Sequence, residues 1–106
     1  MKLGIVINTN EPETVWGAFR IGVTALKAQH TVRIFLYGKG VEAENIKSKF
    51  NIKEQLNQFL ENKGEILACE TCLKIRKKEE TKACKIGHQK DLLDLVEESD
   101  KVLTFG

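Results

Sequence analysis

The chain has 106 residues, of which 42% are hydrophobic and 30% charged. This composition is typical of one globular domain spanning residues 1–106, and it excludes disordered and fibrous chains. The net charge of +2 provides no general attraction to nucleic acid or to a membrane surface, so we expect neither as a partner. No apolar run is long enough to span a membrane and the first residues lack the features of a signal peptide, so the sequence predicts a cytoplasmic protein.

Strands and helices are predicted to alternate along the first half of the chain. The run from Lys2 to Asn8 is apolar and β-branched, which is typical of a strand that is covered on both faces. Apolar residues then recur at helical spacing from Pro12 to Ala28. A second strand is predicted from Thr31 to Tyr37, and it leads into a loop at Gly38 to Gly40.

The second half of the chain continues this alternation. Asn51, with Glu54 three residues later, forms a capping-box pattern that begins a helix ending at Gly64. The remaining predicted elements are strands at Glu65 to Ala68 and Lys101 to Phe105, and helices at Leu73 to Glu80 and Gln89 to Glu98. The order β-α-β-α-β-α-α-β predicts an α/β fold, namely a three-layer α/β/α sandwich around a mainly parallel sheet of four to five strands.

All three cysteines lie between positions 69 and 84, namely Cys69, Cys72 and Cys84. An odd number of cysteines in a reducing compartment indicates thiol chemistry or a metal site rather than a set of disulfides. The stretch from Lys74 to Lys90 has seven basic and two acidic residues, a net charge of +5. Together with the start of a helix, these charges predict a stabilised thiolate at Cys69 or Cys72.

Three kinds of chemistry fit these cysteines. In the first, Cys69 carries sulfane sulfur as a persulfide. In the second, the pair Cys69 and Cys72 exchanges thiols and disulfides, although the thioredoxin type of site also needs a proline that this chain lacks, because Pro12 is its only one. In the third, the chain is a zinc-binding or oligomeric scaffold module that transfers no sulfur and uses Cys69, Cys72, Cys84 and His88, whose separations of two, eleven and three residues suit a tetrahedral zinc site.

The segments Gly38 to Glu42, Gly64 to Arg76 and Lys101 to Gly106 resemble the DsrE family of small sulfur-relay proteins, which includes DsrE-, DsrF- and TusD-like members. The resemblance implies a three-layer α/β/α fold, a cytoplasmic location and oligomers of trimeric or hexameric kind. It also implies a persulfide on a cysteine that follows the third strand, with sulfur donor and acceptor proteins as partners and no cofactor. Zinc would be a cofactor only in the third kind of chemistry described above.

The family pattern also implies roles for single residues. In the tRNA-thiolation members the carrier cysteine follows a strand directly and an arginine lies seven positions later, a relation that Cys69 and Arg76 share. Cys72 gives the segment the form that resembles domains related to selenium metabolism. Lys77 stands where many members have glycine. The predicted catalytic residues are Cys69 and Cys72, and the predicted substrate- or partner-binding residues are Asn8, Asn10, Gly38, Gly40, Glu42 and Arg76.

Overall fold

The computed structural model describes the whole chain, Met1 to Gly106, as five strands, four α-helices and one 3₁₀ helix. The strands are β1 (Lys2–Ile7), β2 (Thr31–Leu36), β3 (Glu65–Cys69), β4 (Lys85–Gly87) and β5 (Lys101–Phe105). The helices are α1 (Pro12–Lys27), α2 (Ile52–Glu61), α3 (Glu70–Ile75) and α4 (Gln89–Glu98), and the 3₁₀ helix is Gly38–Asn45. No helix combines the length and the apolar character that crossing a membrane requires.

The strands form one sheet in the order β4-β3-β2-β1-β5, and every neighbouring pair is parallel. The predicted α/β fold with a mainly parallel sheet is therefore confirmed. Because all strands run in the same direction, their carboxyl ends lie at one edge of the sheet. In open α/β sheets this edge is where reactive groups and ligands are found.

Helices cover both faces of the sheet. Adjacent residues of a strand point to opposite faces, as Gly4 and Ile5 of β1 do. A side chain at Gly4 would collide with Leu95 of α4. Ile5 lies on the other face, beside Gly22 of α1 and Phe59 of α2. The molecule thus has α1 and α2 in one layer and α4 in the other, as the predicted three-layer sandwich requires.

The core consists of 23 buried residues, all of them hydrophobic. Its largest side chains are Phe19, Phe35 and Phe59, and the rings of Phe19 and Phe59 meet edge to face with centroids 6.0 Å apart. Burying one such side chain stabilises a fold by about 2–3 kcal/mol. Apolar packing of this core holds the helices against the sheet, whose strands are joined by backbone hydrogen bonds.

Helix α3 differs from its prediction at Leu73 to Glu80, because it begins three residues earlier and ends five residues earlier. Lys77 has a φ of 54°, in the left-handed region, which stops the helix. The amide of Lys78 donates to the carbonyl of Leu73 at 2.9 Å, and that of Lys77 donates to Lys74 at 3.0 Å. These two bonds form a Schellman motif, which normally has glycine at the left-handed position.

Two further elements were not predicted. Strand β4 has only three residues, beginning with a lysine, which is too few to show a pattern of alternation. It nevertheless pairs with β3, where Cys69 lies opposite Gly87. The segment after β2, predicted as a loop, is the 3₁₀ helix Gly38–Asn45, and it lies beside the end of β3.

Candidate functional site

The cysteine pair lies where β3 passes directly into α3. Cys69 is the last residue of β3 and the N-cap of α3, so Cys72 falls in the first turn of that helix. Cys69 is buried, with 3% of its surface exposed, whereas Cys72 is half-buried. Both are free thiols. The predicted position of Cys69 at a strand end, just before a helix, is confirmed.

The sulfur of Cys72 is in contact with the segment that follows β2. The backbone N–H of Gly38 donates a hydrogen bond to Cys72 Sγ at 3.2 Å. Gly38 has a φ of 53°, and the side-chain oxygen of Asn8 occupies the place that a Cβ on Gly38 would take. Only glycine fits this position readily, because any other residue would add strain and a collision. The ends of β1, β2 and β3 therefore meet at Cys72.

A chain of polar side chains joins the 3₁₀ helix to α3. Arg76 Nε contacts Glu42 Oε2 at 2.9 Å, and its Nη1 donates to the carbonyl oxygen of Cys72 at 3.1 Å. Asn10 Nδ2 donates to the other oxygen of Glu42 at 3.3 Å. The hydrogen bonds from Arg76 and Asn10 hold the pKa of Glu42 below its ordinary value. Glu42 therefore stays ionised and keeps Arg76 next to Cys72.

Gly40 brings the 3₁₀ helix close to the end of β1. A Cβ at Gly40 would collide with the carbonyl oxygen of Ile7, so the two backbones approach each other more closely than any larger residue permits. The Gly40 amide donates to the carbonyl of Tyr37 at 2.8 Å. The residues predicted as substrate- or partner-binding thus lie around one edge of the sheet: Asn8, Asn10, Gly38, Gly40, Glu42 and Arg76.

The stabilised thiolate at Cys69 or Cys72 stays a prediction, and burial acts against it at Cys69. Burial raises the pKa of Cys69, and a hydrogen bond with the Cys72 thiol raises it further, although the amides of Cys72 and Thr71 act in the opposite direction. One basic side chain of the same helix, Lys74, pairs with Glu70 at 3.7 Å. Burial of a side chain depends on tertiary packing, which the charge count in the sequence does not contain.

Cys84 lies in a different environment from the other two cysteines. Burial, together with the carboxylate of Glu44, raises the pKa of Cys84 to about 12. Thr81 Oγ1 donates to Glu44 at 2.7 Å and accepts from the Cys84 amide at 3.1 Å. A cavity of about 190 Å³ adjoins this group, lined by Val41, Glu44, Asn45, Ala68, Leu73, Lys78, Glu79, Thr81 and Cys84.

The structure does not assemble the residues of the zinc alternative into a ligand set. His88 is exposed at the start of α4, where it contacts Glu70 at 3.4 Å and forms a capping box with Asp91. No group of three or more His, Cys, Asp or Glu side chains in the molecule could hold a metal ion. The spacing of cysteines and histidine along the chain thus does not correspond to proximity in space.

One exposed residue beside the site was missed by the sequence analysis. Ile75, at the end of α3, is 71% exposed although it is large and apolar. Its neighbour Arg76 is turned toward the site. The available signal was a single isoleucine within a basic stretch, Lys74 to Lys78, which is too little to separate a surface position from a core position.

These observations define a small three-layer α/β protein with an all-parallel sheet and a pair of reduced thiols at its carboxyl edge. Residues 1–105 match the DsrE/DsrF-like family. The chain belongs to this family, which confirms the resemblance found in the sequence.

Similar proteins come from archaea and bacteria. The uncharacterized protein MJ0989 of Methanocaldococcus jannaschii is 33% identical over 99% of this chain and 100% of its own length. The uncharacterized protein MK0008 of Methanopyrus kandleri is 33% identical over 88% of this chain and 83% of its own. The crystal structure of the YchN protein from E. coli superposes with a TM-score of 0.84 at 21% identity, covering 99% and 100% of the two chains. BT1422 from Bacteroides thetaiotaomicron, of unknown function, gives 0.77 at 16% identity, covering 97% and 93%.

Proposed function

We propose that this protein relays sulfur as a cysteine persulfide on the Cys69 and Cys72 pair. The observation that carries the proposal is the position of two free thiols at the carboxyl edge of the sheet, with Gly38 and Arg76 bonded to Cys72. Membership in the DsrE/DsrF-like family supports it. Within the pair, the family pattern favours Cys69 as the carrier.

The transfer is an exchange between sulfur atoms. A thiolate of the pair attacks the outer sulfur of a donor persulfide, R–S–SH. The S–S bond of the donor breaks, the donor leaves as the thiolate R–S⁻, and the protein cysteine becomes Cys–S–SH. The sulfane sulfur keeps its oxidation level, so the reaction needs no separate oxidant or reductant.

Mass spectrometry of the intact chain tests the proposal. After incubation with glutathione persulfide, we expect the wild type to gain one sulfur atom and the double variant Cys69→Ser/Cys72→Ser to gain none. Cys84→Ser is the matched control and is expected to behave as the wild type, because its thiol is buried and protonated. A wild type that gains no sulfur, or a double variant that gains as much, would refute the proposal.

Thiol-disulfide exchange by the same pair is a second candidate function. It is favoured by one observation, the placement of two free thiols at the start of α3, with Cys69 at its N-cap and Cys72 in its first turn. The same mass measurement separates the two functions. With oxidised glutathione as the substrate, exchange reduces its disulfide to two thiols and leaves a disulfide between Cys69 and Cys72, so the protein loses two hydrogens, whereas relay adds a sulfur atom.

The partners that this function requires are sulfur donor and acceptor proteins. The exposed Ile75 lies beside the site and is suited to contact such a partner.

A homo-oligomer of trimeric or hexameric kind belongs to the same proposal, on the grounds of the family. Further apolar side chains are exposed on α4, where Leu93 and Val96 lie one turn apart. Sedimentation of the full chain at low concentration tests the oligomer.

A further inference from the structure

We infer that Cys72, and not Cys69, is the thiol that first receives sulfur, and that Glu42 and Arg76 are the positioning residues that hold it for the transfer. The inference rests on the proposed sulfur relay and assigns the order in which its two thiols act. Four hydrogen bonds support the inference. The Gly38 amide donates to Cys72 Sγ, and Arg76 donates to the Cys72 carbonyl. Arg76 and Asn10 both donate to the Glu42 carboxylate.

Access separates the two cysteines. A persulfide donor must bring its outer sulfur into contact with the attacking sulfur, in line with the S–S bond that breaks. Cys69 is 3% exposed and is the last residue of β3, which has a neighbouring strand on each side. Cys72 is half-buried in the first turn of α3, so it is the more exposed of the two residues. A donor therefore meets Cys72 first.

The protonation of Cys69 favours the same order. Burial is the main cause that raises the pKa of Cys69, and the neighbouring Cys72 raises it further, so Cys69 holds its proton more tightly than an exposed thiol does. Because the thiolate is the nucleophile, a thiol that retains its proton is a poor first acceptor of sulfur. The Gly38 amide donates a hydrogen bond to the other thiol of the pair, at Cys72 Sγ.

Glu42 and Arg76 fix the position of this sulfur through the backbone. Arg76 bonds the carbonyl of Cys72 with one nitrogen and Glu42 with another, which joins α3 to the 3₁₀ helix. The same 3₁₀ helix begins at Gly38, whose amide contacts Cys72 Sγ. Loss of the ion pair would free the two helices to separate and would remove the amide from the sulfur. Neither residue touches the reacting atoms, so both act through Cys72 and Gly38.

In the transfer, the thiolate of Cys72 attacks the outer sulfur of the donor, R–S–SH. A new S–S bond forms at Cys72 Sγ, the donor's S–S bond breaks, and R–S⁻ leaves with the electron pair. The product is Cys72–S–SH. Cys69 lies behind it as the second thiol of the pair.

Single substitutions and glutathione persulfide test the order. We expect Cys69→Ser to keep the gain of one sulfur atom and Cys72→Ser to lose it. Fragment ions that separate the two cysteines locate the added sulfur in the wild type, and we expect them to place it on Cys72. This second measurement needs no variant, so it decides the matter even if Cys72→Ser does not fold.

The outcomes distinguish this inference from the proposed function. If the wild type gains no sulfur, the relay itself is refuted. If the sulfur is found on Cys69, and is lost in Cys69→Ser but kept in Cys72→Ser, the relay stands and the assignment to Cys72 is refuted.

Variants of Arg76 test the positioning role. We expect Arg76→Gln to lower the initial rate of sulfur gain about tenfold, as loss of a charge-assisted contact does. Arg76→Lys is not expected to restore it, because one ammonium group cannot hold both Glu42 and the Cys72 carbonyl. Lys74→Gln removes a positive charge from the same helix at a position 75% exposed, and it should change the rate less than about twofold. Full rescue by lysine, or an equal loss in Lys74→Gln, would refute the positioning role.

Discussion

Cys72 and Cys84 are twelve positions apart in a cluster that looks uniform in the sequence, yet the fold places them in opposite environments. Cys72 is half-buried at the sheet edge, and a backbone amide and the Arg76 network are directed at it. Cys84 is buried, and burial together with Glu44 raises its pKa to about 12. One thiol is therefore available to a reaction partner, while the other serves as a small apolar side chain of the core.

The difference shows that the reactivity of a cysteine is set by its neighbours in space. The basic stretch Lys74 to Lys90 begins two residues after Cys72 and contains Cys84, so the charge of the sequence does not separate the two residues. In the structure several of these basic side chains have local partners, since Lys90 bonds the carboxylate of Asp94 and Lys78 bonds the amide oxygen of Asn45. Backbone amides and burial decide the chemistry of each thiol instead.

The largest effect expected from the difference between Cys72 and Cys84 is a pH dependence of the free energy of unfolding, which comes from Cys84. Its pKa is raised from 9.0 to about 12 by folding, so the folded state holds the proton more tightly than the unfolded state does. The stabilisation is complete below about pH 9 and is lost as the pH rises toward the folded value. We expect a loss of roughly 2 kcal/mol by about pH 10.5, and up to about 4 kcal/mol at full titration.

Urea unfolding of the wild type and of Cys84→Ala from about pH 8 to about pH 10.5 measures this effect. The variant should lose less stability than the wild type over that range, because it lacks the titrating thiol. Val41→Ala is the matched control, because it removes apolar atoms beside Cys84 and no titrating group, and its curve should parallel that of the wild type. Parallel curves for Cys84→Ala and the wild type would show that Cys84 is not buried as described.

A second prediction concerns the close approach of Gly40 to Ile7, which positions the 3₁₀ helix that contacts Cys72. A methyl group at Gly40 would collide with the Ile7 carbonyl, so Gly40→Ala should lower the free energy of unfolding by about 3 kcal/mol. The displaced 3₁₀ helix should also carry Gly38 away from Cys72. The rate at which Cys72 is alkylated, followed by peptide mass mapping, should then differ from the rate in the wild type, while Cys84 stays unmodified in both.

Gly17→Ala provides the control for Gly40→Ala. Gly17 lies within α1, and no atom is found within 4 Å of the place where its Cβ would be. Alanine there should raise the free energy of unfolding by about 0.5–1 kcal/mol, because glycine is a poor helix former. Equal effects of the two substitutions would contradict the tight packing at Gly40.

Much of this architecture could be predicted from the sequence, because long elements carry their own signals. The β-branched runs of β1 and β2 and the helical spacing of α1 identify these elements without any knowledge of their neighbours. A parallel sheet then brings the ends of its strands to one edge, which is why residues as distant as Asn8, Gly38 and Cys69 were expected together. Their meeting follows from topology alone.

What could not be predicted depends on contacts between segments that are distant in the chain. The three-residue β4 is a strand because it pairs with β3, and its own residues give no pattern. The proton on Cys69 is kept by burial, and the amide directed at Cys72 comes from Gly38, which is 34 residues away. Neither the exposure of a thiol nor the identity of its hydrogen-bond donor is a property of the local sequence.

The smallest predicted effect concerns Lys77, which ends the helix that carries Cys72. Lys77 adopts a φ of 54° in the Schellman motif, a conformation that costs a residue with a side chain roughly 1 kcal/mol relative to glycine. Lys77→Gly should therefore raise the free energy of unfolding by about 1 kcal/mol, as measured by urea unfolding. Lys74→Gly, within the same helix, should lower it by a similar amount, because there glycine disrupts regular helical geometry. Opposite signs from two lysine-to-glycine changes three residues apart would locate the end of α3, and a loss of stability in both would mean that the helix continues through Lys77.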